Sequence, residues 1–581
     1  MNPETKAEKG ASKPRPGFLD ELNDAYLLSR KNIILLTGDT FGMFWNQQTA
    51  AFDAFESTLV HALRAKFNVV RMDIAGGISF YDKMTEAEVI RICESRDGVE
   101  VPKARRAQMQ SMIDGSRHNP LPALVLLRGI QEAFCRVRLE EPNIKPLCVL
   151  FQYAGALFPT GDFGRLADLD RQRLVVFLSW VNDPCFSQSP DLLILINDVK
   201  SEINTKIHRI PHGVHFEIPL PDEKDRHSFV SWFNEQGDTV RWRDGKTNFV
   251  ENTAGLRLTH LKDMMEVARR TRRAITKEQV VGQVNEILQA ELGDIIRVKY
   301  PSHSAKDIIG YQETGQIFKS IFERCEDHDT AVSAMLVSGP NGAGKTFQLE
   351  AYAADSGRVV IELAGIRGSY FGETDRFFEL LRWHIATFGK ILILVDEAHT
   401  AFGSVHDSGT HQTEMRLAGN IIKMMGNPDY LGKVLWGMMT SRPDELDPDI
   451  KSRAPIQVPI FDLEGEPRRE FVEAMFKRKK INVSDELDAI LAETDYYSAR
   501  DYRNLVAETL AQHRKTPEKT VMDILSGWHA SKSIEVQREF QSLIAAQHCS
   551  YPKLIPEAYR SMGDKDVAKR IEELKWLLSR G

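Results

Sequence analysis

Cysteine is sparse in this sequence and never forms a C-x-x-C pair. Six cysteines occur among 581 residues, and they are spread singly along the chain. This distribution disfavours both a zinc site and a disulfide framework, which need clustered or regularly spaced thiols. We therefore interpret them as buried thiols in a reducing compartment: Cys93, Cys135, Cys148, Cys185, Cys325 and Cys549.

Long apolar segments are also missing. No stretch approaches the about 18 consecutive apolar residues that are needed to cross a bilayer. Residues 1–17 are polar and contain lysines and prolines, without the apolar core of a signal peptide. We expect a disordered tail at residues 1–17, a cytoplasmic location and no membrane partner.

A surplus of positive charge is absent as well. The formal net charge is -7, so the chain lacks the global basic character that dominates nucleic-acid affinity. A local basic channel is still compatible with this balance. Nucleic acid is therefore a disfavoured partner, but an open one.

The length and composition indicate a multidomain globular protein. Single hydrophobic cores stop growing at about 250 to 300 residues, so a chain of 581 residues needs at least two such units and favours three or four. Apolar residues make up 42% and charged residues 27% of the chain. These fractions are close to the average for globular proteins, so disorder throughout is not expected.

One kind of module occurs twice in the sequence. Three pairs of segments match in the same order at nearly constant spacing: Arg226-His-Ser-Phe-Val with Arg468-Arg-Glu-Phe-Val, the stretch from Thr253 with that from Thr494, and the apolar run before Asn197 with that before Ser441. Three coincidences in unbroken order are unusual for unrelated domains. We interpret the pattern as a tandem repeat.

Short apolar runs alternate with helix-length amphipathic segments within each copy. In the second copy the runs are 334–338, 359–363, 391–395 and 434–440. This alternation predicts an α/β fold, with a mainly parallel sheet covered by helices on both faces. After Asp462 helical periodicity takes over, which predicts a small helical lid.

The predicted domains follow from this repeat. The first copy has an insertion at about 83–145, which begins with a helical pattern and has no readable role, and the C-terminal extension carries no readable motif. The expected boundaries are a tail at 1–17, a degenerate α/β domain at 18–220 with its lid at 221–300, an active α/β domain at 301–461 with its lid at 462–515, and a helical extension at 516–581.

A phosphate-binding loop is predicted between the first strand of the second copy and the following helix. Glycines let backbone N–H groups approach phosphates, Lys345 reaches the β and γ oxygens, and the Thr346 hydroxyl is a ligand for Mg²⁺. The pattern therefore predicts ATP and Mg²⁺ as cofactors. The predicted nucleotide-binding residues of this loop are Gly339, Pro340, Asn341, Gly342, Ala343, Gly344, Lys345, Thr346 and Phe347.

An acidic pair, Asp396 and Glu397, follows the apolar run at 391–395. An apolar strand that ends in acidic residues is common in any sheet. Downstream of a phosphate-binding loop, however, it is typical of an ATPase, in which the first carboxylate binds magnesium and the second activates water. We predict these roles for Asp396 and Glu397.

These motifs, with the segments around them, resemble the classical AAA branch of the AAA+ ATPases. The resemblance covers residues from about 304 to 510 and implies that the backbone at Ile308 and Ile309, in Asp307-Ile-Ile-Gly310, holds the adenine. Thr440-Ser441-Arg442-Pro443 resembles the family's Thr-Asn-Arg-Pro, which places Ser441 at the sensor position. Because a serine side chain has less reach than asparagine, Thr440 is a second candidate for that role.

Two arginines match positions at which AAA+ proteins carry catalytic charges. Arg453 lies where the family places an arginine finger, which acts on the nucleotide of a neighbouring subunit and implies a ring; the alternative is a plain surface arginine. Arg500, in Ser498-Ala-Arg500-Asp501, stands where other AAA+ branches place a lid sensor arginine. Its alternative is a solvated helix residue.

A candidate pore loop follows the second strand of the second copy. Tyr370, Phe371 and Gly372 resemble the aromatic, apolar and glycine residues with which AAA translocases grip an extended polypeptide. Aromatic rings suit this task because they contact any sequence through surface area. The competing interpretation, two aromatics in a core, is disfavoured by the glycines at 368 and 372.

The first copy lacks this machinery. Leu35-Leu-Thr-Gly38-Asp-Thr-Phe-Gly42 occupies the place of the phosphate-binding loop without Gly-Lys-Ser/Thr, and Gln152 and Tyr153 replace the acidic pair. We therefore do not expect hydrolysis there, whereas nucleotide binding is left open.

The resemblance implies a motor that remodels, unfolds or disassembles a protein client in a homo-oligomeric ring, which we expect to be a hexamer. Two other functions stay open. A nucleic-acid motor or loader is suggested by Asp396-Glu-Ala-His399, which matches a helicase motif. A nucleotide-dependent scaffold or switch is suggested by the degenerate first copy and by Ser441.

Overall fold

The computed structural model describes residues 16–94, 103–292, 296–363, 373–388, 390–402, 412–516, 518–530 and 534–579. The chain forms two compact units. The first consists of residues 1–280 together with residues 375–387, and the second consists of residues 281–374 and 388–581. Among the described residues, no helix is long and apolar enough to cross a membrane.

The first unit contains a six-stranded sheet of order β5-β4-β6-β7-β1-β8, in which only the edge strand β5 is antiparallel. A separate antiparallel pair is formed by β2 and β3. The central strands are continuous buried apolar runs, as expected for a parallel sheet that is covered on both faces. The strands are β1 Ile33–Gly38, β2 Met43–Asn46, β3 Ala51–Ala54, β4 Asn68–Asp73, β5 Gly77–Phe80, β6 Leu147–Phe151, β7 Leu192–Ile196 and β8 Gly213–Ile218.

Helices cover this sheet and form the lid that follows it. One core, around Phe134, Phe151 and Trp180, fills one face of the sheet, and another, around Phe18, Phe55 and Leu59, fills the opposite face. The helices are α1 Gly17–Leu27, α2 Phe55–Arg64, α3 Lys83–Glu94, α4 Lys103–Gly115, α5 Pro120–Glu140, α6 Ala154–Leu157, α7 Asp168–Val181, α8 Pro184–Ser187, α9 Thr205–His208, α10 Glu223–Glu235, α11 Lys246–Asn252 and α12 Leu258–Thr271.

The second unit contains a six-stranded sheet of order β14-β10-β13-β12-β11-β9, in which only the edge strand β9 is antiparallel. Its four predicted strands have the expected bounds. The strands are β9 Ile296–Lys299, β10 Ala334–Ser338, β11 Val359–Leu363, β12 Ile391–Val395, β13 Val434–Thr440 and β14 Ile456–Pro459.

The remaining helices include the lid of the second unit and the C-terminal helices. The lid helices enclose their own apolar core, which contains Phe476, Leu487 and Leu505 and also takes in Ile524 from beyond residue 515. The helices are α13 Lys277–Leu292, α14 Gln312–Arg324, α15 Lys345–Asp355, α16 Glu373–Phe388, α17 Ala398–Ala401, α18 Gln412–Met425, α19 Pro448–Arg453, α20 Gly465–Lys477, α21 Leu487–Glu493, α22 Ala499–His513, α23 Val521–Leu525, α24 Glu535–Gln547, α25 Glu557–Arg560 and α26 Asp564–Leu578.

The five parallel strands have the same order in the two sheets, whereas the antiparallel edge strand comes after the second of them in the first unit and before the first of them in the second unit. The two lids begin in the same way. In each lid an arginine from the sequence repeat binds main-chain carbonyl groups: Arg226 donates to Val250 O at 3.1 Å and Pro221 O at 2.8 Å, and Arg468 donates to Leu491 O at 2.9 Å. The predicted fold class, an α/β P-loop sheet with a helical lid present twice, is confirmed.

Glycine is required where the first strand of each module ends. Gly38 has φ +94°, and a Cβ placed on it would lie 2.2 Å from the Ile218 carbonyl oxygen. Gly339 has φ +138°, and its Cβ would lie 2.0 Å from the Ile460 carbonyl oxygen. Both loops therefore cross the end of the neighbouring strand too closely for any side chain.

Candidate nucleotide site

The phosphate-binding loop joins β10 to α15 in the second unit. Gly344, the residue before the helix, has φ +93°, a left-handed conformation that turns the loop directly into the first helical turn. The N–H groups of that turn have no partners within the helix, and the helix dipole places partial positive charge there. This geometry suits the phosphates of a nucleotide.

Lys345 is buried against its own loop. Its Nζ donates hydrogen bonds to Gly339 O at 2.9 Å and to Pro340 O at 3.1 Å. Burial lowers the pKa of Lys345, and the nearby carboxylates of Glu397 and Asp396 act in the opposite direction. The lysine is therefore held between the loop and the acidic pair.

Asp396 and Glu397 follow β12 directly. Glu397 has φ 45°, a left-handed conformation that non-glycine residues seldom adopt and that is found preferentially at functional sites. Asp396 Oδ1 accepts a hydrogen bond from the Glu397 N–H at 2.9 Å. Both residues line the same cavity as Lys345.

The hydroxyl groups at the end of β13 have different partners. Ser441 Oγ lies 3.5 Å from Glu397 Oε2. Thr440 Oγ1 lies 2.8 Å from His399 Nδ1 and accepts a hydrogen bond from the Arg442 N–H. Of these two hydroxyl groups, Ser441 is therefore the one that lies beside Glu397, while its sensor role stays a prediction.

A cavity of about 360 Å³ brings most of the predicted site together. The phosphate-binding loop from Asn341 to Phe347, the acidic pair, the segment with Ile308 and Ile309, and lid residues including Arg500 line it. Positive charge and helix N–H groups fit a triphosphate, a hydroxyl beside carboxylates fits Mg²⁺, and apolar side chains fit a base. The residues present therefore fit ATP and magnesium.

Other predicted residues lie apart from this cavity. Gly339 and Pro340 contribute carbonyl groups to Lys345 rather than lining the cavity.

Arg453 is exposed at the end of α19, where its side chain lies beside Gly426, and it does not line its own chain's cavity. The predicted pore loop, Tyr370, Phe371 and Gly372, lies outside the described residues.

The sequence analysis missed several polar residues of the site, among them two arginines and a tyrosine. Arg503 and Arg478 line the cavity from the lid, and Arg478 Nη2 donates to Asp307 O at 3.1 Å. The Tyr311 hydroxyl donates to Ala343 O at 3.2 Å, and Tyr311 also lines the cavity. Arg503 could have been found, because a residue three positions after Arg500 lies on the same helix face.

The corresponding loop of the first module forms an ion pair with the segment that begins the lid helix α12. Asp39 is buried, and its Oδ1 lies 3.1 Å from Nε of Arg257, which immediately precedes the lid helix α12. The Arg257 guanidinium group also lies over the rings of Phe41 and Trp383, at 5.8 and 5.4 Å. An ion pair inside the chain thus joins loop and lid where the second module presents a cavity.

Comparison with known families agrees with this geometry. Residues 335–461 match the model for the ATPase family associated with various cellular activities (AAA). Residues 5–219 match the model of the AAA+ chaperone N-terminal Rossmann-like domain. The fold and the site thus define a P-loop ATPase domain of the AAA+ class. The second module thus contains an AAA-family ATPase domain, and the first matches a domain of AAA+ chaperones.

Curated relatives match part of the chain at low identity. The outer mitochondrial transmembrane helix translocase of Danio rerio is 23% identical over 217 residues, which are 36% of this chain and 60% of the relative. The 26S proteasome subunit RPT4 of Saccharomyces cerevisiae is 26% identical over 182 residues, 30% of this chain and 41% of the relative. The cell division cycle protein 48 homolog of Archaeoglobus fulgidus is 24% identical over 192 residues, 32% of this chain and 26% of the relative. The chain spans less than two thirds of each.

Proposed function

We propose that this protein is an ATP-driven motor that remodels a protein client as a homo-oligomeric ring. The proposal depends above all on one observation: Lys345 and Thr346 line the same cavity as Asp396 and Glu397. This set of groups can bind a triphosphate and activate a water molecule beside it. The wider activity, the client and the ring are our inference.

Each residue has a distinct role in the proposed reaction. Lys345 holds the β- and γ-phosphates, Thr346 and Asp396 hold magnesium, and Glu397 orients the attacking water and accepts its proton. Magnesium, when bound, neutralises charge that develops on the phosphate oxygens. Ser441, beside Glu397, keeps the carboxylate in place, and Arg500 brings positive charge from the lid.

A protein client is favoured over nucleic acid. The relatives include a transmembrane helix translocase and a proteasome subunit, and both names refer to work on proteins. The negative net charge of the chain points in the same direction. Tyr370, Phe371 and Gly372 are the residues we propose to contact the client.

Lys345→Ala should weaken ATP binding about tenfold to a hundredfold, because a hydrogen bond to a charged group contributes about 1.5 to 3 kcal/mol. Titration with a fluorescent ATP analogue measures this change. Lys319→Ala, which removes an exposed lysine of α14, is the matched control and should bind like the wild type. Equal affinity of Lys345→Ala and wild type would contradict the assigned site.

Tyr370→Ala should abolish processing of an unfolded protein substrate while basal ATP turnover persists, since the aromatic ring is proposed to grip the client and not the nucleotide. Tyr370→Phe keeps the ring and should retain most processing. Loss of a fluorescent substrate's folded signal reports processing, and phosphate release reports turnover. If ATPase were stimulated by DNA or RNA and by no protein, the nucleic-acid alternative would replace this proposal.

A further inference from the structure

Helix α24, the first of the last three α-helices of the chain, contacts the phosphate-binding loop of the ATPase domain. Gln541, on its buried face, is 1% exposed, and its Oε1 accepts a hydrogen bond from the N–H of Asn341 at 3.0 Å. Asn341 belongs to the loop that lines the nucleotide cavity. A side chain far along the sequence therefore supplies the partner for one backbone N–H group of this loop.

Arg538, one turn earlier on α24, joins two other parts of the same domain. Its Nη1 donates to the carbonyl oxygen of Tyr496 in the lid at 2.8 Å, and its Nη2 forms an ion pair with Asp462, which follows β14. Arg538 is 8% exposed. A single guanidinium group thus fixes the lid relative to the end of the sheet.

The contacts of Arg538 extend towards the lid residue Arg500. Arg538 Nη1 lies 3.9 Å from Oδ2 of Asp501, which accepts a hydrogen bond from the Ser498 N–H and so caps α22. Arg500 lies between these two capping residues. Burial raises the pKa of Asp462 to about 6, and the charge of Arg538 acts in the opposite direction.

A third contact connects α24 with the sensor segment. The ring of Phe540 lies 4.8 Å from Cζ of Arg442, the residue that follows Ser441. Helix α24 therefore contacts the loop, the lid and the sensor segment through three neighbouring residues. None of these three residues lines the nucleotide cavity itself.

Helix α24 is held in place by contacts with α26. Its apolar face packs against α26 around Phe540 and Leu574, and Arg570 forms a bidentate ion pair with Glu539 at 2.7 and 2.8 Å. Beyond the helix, the Ser550 N–H donates to Gln457 O at 2.9 Å and extends the hydrogen bonding of edge strand β14. The helix is therefore an integral part of the ATPase domain.

We propose that Gln541 and Arg538 are positioning residues of the ATPase site, which set the phosphate-binding loop and the lid in the geometry that binds nucleotide. This inference rests on the function proposed above. Packing alone would favour an apolar side chain at position 541, because a buried amide is costly unless it is hydrogen-bonded. The glutamine has that partner in Asn341.

Gln541→Met tests the proposal, since methionine keeps the length of the side chain and removes the acceptor. We expect KM for ATP, and the dissociation constant of a fluorescent ATP analogue, to rise about three- to tenfold, the effect of one lost hydrogen bond. We expect kcat and the melting temperature to change little. Gln537→Met, at an exposed position of the same helix, is the matched control and should behave like the wild type.

Arg538→Lys provides a second, independent variant. A lysine retains the charge opposite Asp462. Its single ammonium group does not reproduce the guanidinium group's simultaneous contacts with Asp462 and the Tyr496 carbonyl oxygen, so KM for ATP should again rise. A lower melting temperature with unchanged KM in Gln541→Met would show a packing role only and overturn the inference. If Gln541→Met does not fold, an unchanged KM for ATP in Arg538→Lys is sufficient by itself to overturn the inference.

A failure of this inference can be distinguished from a failure of the proposed function. Wild type that binds no ATP analogue, or binds it no better than Lys345→Ala, would refute the nucleotide site itself. Wild type that binds the analogue, together with a Gln541→Met variant of equal affinity, would refute only the role of α24.

Discussion

Glu397→Gln should reduce ATP turnover at least about a hundredfold, because general acid–base catalysis contributes about 10²- to 10⁴-fold and the amide cannot accept the proton of the attacking water. ATP affinity should stay near that of the wild type, since glutamine has the same shape and can still lie beside Ser441. Phosphate release and titration with a fluorescent analogue measure the two quantities separately.

The control for this variant is Glu493→Gln, which makes the same change at an exposed position at the end of α21. It should leave turnover unchanged. Substantial turnover in Glu397→Gln would show that the catalytic base is another group. Loss of ATP affinity with the loss of turnover would instead assign Glu397 to nucleotide or metal binding.

Arg453→Ala should lower turnover by about a thousandfold or more, because an arginine finger is worth about 10³- to 10⁵-fold in phosphoryl transfer. The side chain is exposed and does not line the cavity of its own chain, as we would expect of a residue proposed to act on a neighbouring subunit. Arg514→Ala, at an exposed arginine after α22, is the control and should retain activity. Full activity in Arg453→Ala would place the finger elsewhere.

Mixing two inactive variants tests whether Arg453 acts between subunits. Arg453→Ala protomers keep Glu397, whereas Glu397→Gln protomers keep Arg453. In a mixed ring, some interfaces combine an intact base with an intact finger. Turnover of the mixture should therefore exceed that of either variant alone. A mixture that is as inactive as its components would contradict a shared site.

Much of the second module's sheet could be predicted from the sequence for a physical reason. Strands of a parallel sheet are buried on both faces, so they are continuous apolar runs with clear ends. The strands at 334–338, 391–395 and 434–440 are buried throughout, and the strand at 359–363 is apolar except for Glu362. The antiparallel edge strand Ile296–Lys299 and the hairpin of Met43–Asn46 with Ala51–Ala54 were not predicted, because short, partly exposed strands carry a weak signal.

The residues of the candidate site likewise include some that local sequence predicts and some that it does not. Lys345 and Thr346 form a contiguous motif, and Asp396 and Glu397 form another, so local sequence is sufficient to find them. Gln541 has no such signal, since its role exists only when α24 packs against the loop. The roles of Tyr370, Phe371 and Gly372 and of Arg453 remain predictions.

The ion pair between Asp39 and Arg257 distinguishes the first lid from the second. Both of its charges are covalently part of the protein, so their attraction has the same strength at every concentration of ATP. The contact between the loop and the lid of the first module therefore does not require a bound nucleotide.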